Sequence, residues 1–114
     1  MAIEESYTGS VSISTTEYSL PNASTTLTPI TTSGVYQVFI DTSNMASGDE
    51  YRIKILEKVR SSGSQRTIYT VTLDGVQTTP FVTPSLVLMH GWDVTVQKVA
   101  GTYRGIAWSI RRVS

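Results

Sequence analysis

His90 is the only histidine of this 114-residue chain, and its setting decides whether proton-transfer chemistry is on offer. A Ser-His-Asp site needs a base whose ring is oriented by a carboxylate. The nearest carboxylate in sequence, Asp93, lies three positions on. Along a strand, an odd spacing puts two side chains on opposite faces. No Gly-x-Ser-x-Gly elbow occurs. His90 is therefore expected to sit in a turn, and no catalytic residue is expected elsewhere.

Asp41 and Asp49 flank a polar loop, residues 42–48, that could hold calcium weakly. An EF-hand needs regularly spaced oxygen ligands closed by a Glu, and this spacing does not supply them. Asp41 reads instead as a helix N-cap or an Asx-turn. There is no cysteine, which excludes disulfides and thiolate metal sites. Gly63, Gly75, Gly91, Gly101 and Gly105 are isolated turn or bulge glycines, and none belongs to a phosphate-cradling loop. No metal and no cofactor are expected. Trp92 and Trp108 could stack on sugar faces. Both alternate with aliphatic residues, Val94 and Val96 for the first and Ile106 and Ile110 for the second. That places the indoles in a core. Tyr36, Tyr51, Tyr69 and Tyr103 read as half-buried sheet residues.

The elements that must position these groups are strands. Val, Ile, Thr, Tyr, Phe and Trp make up 48 of the residues, and these types suit a pleated, half-buried surface. In Glu50–Val59, Tyr51, Ile53, Ile55 and Val59 share one face and Arg52, Lys54 and Lys58 the other. That period of two marks a half-buried antiparallel strand. Arg66–Leu73 follows as its hairpin partner. Val35–Ile40 is apolar on both faces apart from Gln37, as for a central strand covered on both sides. The loop 42–48 offers one helical turn. Asp74-Gly75 signals a two-residue turn, with Val76–Thr79 as a short returning strand. Leu86–Met89 reads as a buried strand, His90-Gly91 as a bend, and Ala100-Gly101-Thr102 as a tight hairpin loop. The sum is an all-β chain, an antiparallel β-sandwich or jelly-roll-like fold of eight to ten short strands.

A chain of this length forms one domain and buries roughly 65% of its unfolded surface. Within it, residues 1–33 stand apart as a Ser/Thr-rich N-terminal arm or set of edge strands, with residues 34–114 as the sandwich core. Val11 and Ile13 alternate with serines, Tyr18-Ser19-Leu20 suggests a second short strand, and Pro21 and Pro29 interrupt pairing. Val11, Ile13, Leu20, Leu27 and Ile30 are too apolar for a solubilising tail. They must dock on the rest of the domain or on a neighbouring subunit, and they are taken as candidate partner-binding residues. The basic face, Arg52, Lys54 and Lys58, is the second candidate.

Nine basic and nine acidic residues balance to zero net charge. A nucleic-acid partner calls for a basic excess, so none is expected. Near-zero charge favours association, as in an assembly. Met1–Glu5 carries no signal-peptide pattern, and no apolar run approaches the ~20 residues of a membrane span. The lack of cysteine leans toward an intracellular origin.

Four segments carry a resemblance: Gly48–Val59, Ser62–Arg66, His90–Lys98 and Ile106–Arg111. In pattern and size the chain resembles small β-rich virion structural proteins of tailed bacteriophages, over roughly residues 7–113. The group has no shared active-site motif, so no functional residue carries over. The resemblance implies a non-enzymatic capsid decoration or cement protein that clamps the phage major capsid protein from outside, often as a trimer. It implies synthesis in the host bacterial cytoplasm and a final place on the capsid surface of the virion. Other readings are a tail, head-completion or fibre module, and a carbohydrate-binding β-sandwich module using Trp92 or Trp108.

Overall fold

Alternation along single strands accounts for most of the architecture. The computed structural model describes residues 2–113. Its strands are β1 (Ile3–Ile13), β2 (Tyr18–Ser19), β3 (Gly34–Asp41), β4 (Glu50–Lys58), β5 (Gln65–Asp74), β6 (Phe81–Val82), β7 (Leu86–Leu88), β8 (Asp93–Ala100) and β9 (Arg104–Val113). No helix occurs among the described residues. Tyr51, Ile53 and Ile55 of β4 are buried, while the residues between them are half-exposed. The same period buries Tyr36, Val38 and Ile40 of β3 and Ile106, Trp108 and Ile110 of β9.

All pairings are antiparallel, and they form two sheets. The first runs β1-β9-β3-β6, with β7 sharing the β3 edge. The second runs β2-β8-β4-β5. The inner faces enclose one core that includes Ile13, Leu20, Tyr36, Tyr51, Trp92 and Trp108. Over the described residues the molecule is a nine-stranded antiparallel β-sandwich.

Several local expectations need correction. The loop 42–48 holds turns and no helical turn; Asp41 closes an Asx-turn, its Oδ1 accepting the Ser43 N–H at 3.0 Å. Asp74-Gly75 is not a hairpin turn, and 76–79 is not a strand. Gly75 N–H bonds the Asp49 carbonyl at 2.8 Å, and the chain then leaves for β6 in the opposite sheet. Likewise 100–102 joins β8 to β9 across the sandwich. Gly101 there has φ +89°, and a Cβ on it would lie 2.3 Å from Asp49 Oδ1. β7 is half open, with Leu88 buried and Val87 exposed. β3 is covered on one face only; Val35 on its other face is exposed.

The division at residue 33 is not a boundary in the packing. β1 pairs with β9 along its whole length, and β2 pairs with β8. Residues 20–30 form a loop returned to the sheet by mutual backbone bonds between Ile30 and Trp92. Ala23 in this loop takes a left-handed φ of 50°.

Candidate docking face

The residues singled out from sequence do not converge. Ile13 and Leu20 are each 1% exposed inside this chain's own core, which corrects their assignment to a partner. Ile13 ends β1 in the first sheet, and Leu20 follows β2 with its N–H on the Val94 carbonyl of the second sheet at 2.8 Å, so both side chains enter the core between the sheets. Val11 and Ile30 pack against the same core, and Leu27 is exposed on the 20–30 loop.

Arg52 and Lys54 lie side by side on the outer face of the second sheet. Arg52 stands between Thr72 and Gln97, and Lys54 between Thr70 and Thr95. Lys58 sits further along, in a shallow cleft with His90, Ser61 and Pro29. This outer face is polar, and the hydroxyl of Thr95, directly opposite Lys54, donates to Glu17 Oε2.

His90 lies in the bend before Trp92. Its backbone N–H donates to Glu57 Oε2 at 2.8 Å. Trp92 is 0% and Trp108 4% exposed, so neither indole can form a sugar platform. Trp92 Nε1 donates to the Thr32 carbonyl at 3.0 Å, while Trp108 Nε1 is buried without a partner.

The buried carboxylates are committed to the fold. Asp49 accepts the Thr102 N–H at 2.9 Å, the Ala46 N–H at 2.8 Å and Arg104 Nε at 2.6 Å. Those donors hold its carboxyl down at about 2. Asp93 is buried on the opposite side of β8 from Trp92. Its Oδ1 accepts Ser19 Oγ at 2.7 Å and the Val94 N–H at 2.8 Å, and its Oδ2 has no partner. Burial raises its pKa, opposed by those two hydrogen bonds. Among the described residues, no group of three or more His, Cys, Asp or Glu could hold a metal ion.

The face that sequence reasoning missed is the outside of the first sheet. The pairing sets Ile3 opposite Val113, Val113 opposite Val35, and Val35 opposite Val87. Four apolar side chains thus form one row across β1, β9, β3 and β7. At strand spacings of ~4.8 Å the row spans roughly 14 Å. Ile3 is 72% exposed and Val87 77%. Beside the row, Arg111 lies over the Phe39 ring at 3.8 Å. Its Nε donates to Ser109 Oγ at 3.2 Å, and Ser109 Oγ donates to Glu5. Ile3, Val35, Phe39, Arg111 and Val113 help line a groove of about 220 Å³. Further along, the face turns to small residues, Ser10 opposite Ala107 and Ser12 opposite Gly105. The one sequence signal was the second apolar face of β3, where Val35 and Phe39 stand.

No protein-family model matches this chain, and no curated protein matches it. Two solved structures are distantly similar to it. One is the Eiger TNF from S. frugiperda, at 15% identity and TM-score 0.48 over 97% of this chain and 88% of that one. The other is a xylan-binding domain of carbohydrate-binding module 22, at 19% identity and TM-score 0.41 over 85% of this chain and 64% of that one. Both likenesses are distant, and the sandwich assignment stands on the two sheets themselves.

Proposed function

We propose that this chain is a non-enzymatic docking module that adheres through the outer face of its first sheet, and that it serves as a capsid decoration or cement protein of a tailed phage. The observation that carries docking is the row Ile3, Val113, Val35 and Val87. A contiguous exposed apolar patch on a small domain marks an interaction surface more often than chance. The row is rimmed by Glu5, Arg111 and Gln37, which stand abreast in the neighbouring row. That composition, an apolar centre with a polar rim, is that of a protein interface. The phage setting rests on the resemblance of the four segments named above. In that setting the partner is the major capsid protein, and many weak copies on symmetric sites add by multivalency.

The test is an affinity-tagged copy expressed during infection, with electron microscopy of the particles. The expected result is tag density at repeating sites outside the head. Val87→Glu should remove it while leaving the melting temperature of the isolated protein within the scatter of surface substitutions. Density on the tail or fibres would move the protein to another virion part. Particles without any copy would sink the virion reading. A Val87→Glu protein that still occupies the head at parental level would sink the docking face.

A further inference from the structure

The cleft beside Lys58 gathers hydrogen-bond donors that the fold itself does not use. Three stretches of chain wall it, 29–31, 58–61 and 89–91. Backbone bonds hold these stretches to one another. The Lys58 N–H donates to the His90 carbonyl at 3.0 Å, and Ile30 and Trp92 exchange bonds of 2.7 and 2.9 Å. The Gly63 N–H closes a turn around Ser61 on the Arg60 carbonyl at 2.9 Å. Gln65 Nε2 adds a bond to the Gly91 carbonyl at 2.9 Å.

Lys58 is aimed by packing. Gly91 has φ +55°, and a Cβ on it would lie 3.4 Å from Lys58 Cε and 3.5 Å from Pro29 Cβ. The lysine stem therefore runs beside the bare face of Gly91, itself a wall of the cleft. Among the described residues, the Lys58 ammonium, the His90 ring and the hydroxyls of Thr31 and Ser61 make no hydrogen bond or ion pair within the chain. All four line the cleft, and no carboxylate does. Glu57 stands on the opposite face of β4 from Lys58 and accepts the Met89 and His90 N–H groups. Residues 57–66 carry Lys58, Arg60 and Arg66 against Glu57 alone, so this end of a neutral molecule is locally positive.

We propose that this cleft binds a phosphate group, either free phosphate or the phosphate of a small ester. Lys58 supplies the counter-charge, as a compact cation well suited to phosphate. The His90 ring carries an N–H in either tautomer, and the two hydroxyls can each donate. A phosphate monoester offers three strong acceptor oxygens and a charge near −2, which draws on donors from all three stretches at once. A carboxylate, with two oxygens and a single charge, leaves part of the set unused. The cleft holds about 300 Å³, at the small end of the roughly 300–1,000 Å³ of ligand pockets, so its occupant is small. Pro29 and Met89 give it apolar walls against which the carbon part of an ester can lie. The proposal does not depend on the docking face, because none of Ile3, Val35, Val87 and Val113 lines this cleft.

Amide chemical shifts of the whole chain, followed during titration with inorganic phosphate and separately with glycerol phosphate, test it. Sodium chloride and sodium acetate at matched ionic strength are the controls. Saturable shifts confined to 29–31, 58–61 and 89–91 are expected with both phosphates. Tighter binding of glycerol phosphate would identify an ester as the ligand, and tighter binding of inorganic phosphate the free ion. Lys58→Gln should weaken binding by about tenfold or more, as for loss of a charge-assisted hydrogen bond. Lys54→Gln, on the same strand but outside the cleft, should leave it unchanged. His90→Ala should weaken binding several-fold while the shifts elsewhere in the sandwich stay parental. Shifts that do not saturate, or that chloride reproduces, overturn the proposal. So does acetate binding as tightly as phosphate, or a Lys58→Gln protein that binds like the parent.

Discussion

Arg104 and Asp49 tie the two sheets together: Arg104 begins β9, Asp49 precedes β4, and Nε meets Oδ2 at 2.6 Å. Tyr51 reinforces the joint. Its hydroxyl donates to the Thr102 carbonyl at 2.8 Å and accepts the Arg104 N–H at 2.7 Å. The depressed Asp49 pKa gives the joint a pH signature. A carboxyl held at about 2 in the fold, against 3.8 ordinarily, contributes stability that is present above that ordinary value. The contribution is lost as pH falls through about 2. Asp49→Asn should melt below the parent at pH 7, and the gap should close toward pH 2. A gap that persists at pH 2 would show that the charge is not the cause.

Asp93 should give the opposite slope. Its folded pKa is raised by burial, so the fold favours its protonated form. That stability is complete below the ordinary value of 3.8 and is lost as pH rises through the folded pKa. Asp93→Asn removes a buried charge whose Oδ2 has no partner. The variant should be more stable than the parent at pH 7, because it removes the charge that burial disfavours, and the gain should shrink near pH 4, where the parent carboxyl is protonated. Urea midpoints at the two pH values measure this.

Gly9 and Trp108 are packed as a pair. A Cβ on Gly9 would lie 2.6 Å from Trp108 Cζ2, on the directly opposite residue of β9. Gly9→Ala should cost ~1–3 kcal/mol by overpacking. Trp108→Ala should cost ~3–5 kcal/mol as a cavity. Trp108→Phe removes both the clashing ring and a buried N–H without a partner. Combined with Gly9→Ala it should recover part of the loss, and a double-mutant cycle reads that coupling.

Deleting residues 1–20 should abolish folding. The deletion removes β1, β2 and two core side chains, Ile13 and Leu20. Near-ultraviolet dichroism from Trp92 and Trp108 should disappear. Ile13→Ala alone should cost ~2–5 kcal/mol. A truncated chain that keeps the parental dichroism would restore the idea of a detachable arm.

The fold was legible wherever one strand carries its own pattern. Tyr51, Ile53 and Ile55 alternate with Arg52 and Lys54, and the core follows. Connections were not legible. Asp74-Gly75 and Ala100-Gly101 look like hairpin turns because turn residues report only local φ and ψ. Whether the next strand stays in the same sheet depends on partners far along the chain. The docking row was hidden for a similar reason. Ile3, Val35, Val87 and Val113 each look like an ordinary strand residue, and only the register sets them abreast.

The pairing of β1 with β9 also sets an order on assembly at the ribosome. Arg104 is made 91 residues after Ile13, its partner in the ladder. At ~5–20 residues per second, β1 waits about 5–20 s for its neighbour. Meanwhile β4, β5 and β8 can pair among themselves, because their ladder needs nothing beyond Ala100. The sandwich therefore closes last along its first sheet, and in the nascent chain Tyr7, Val11 and Ile13 have no β9 to hold them over the core.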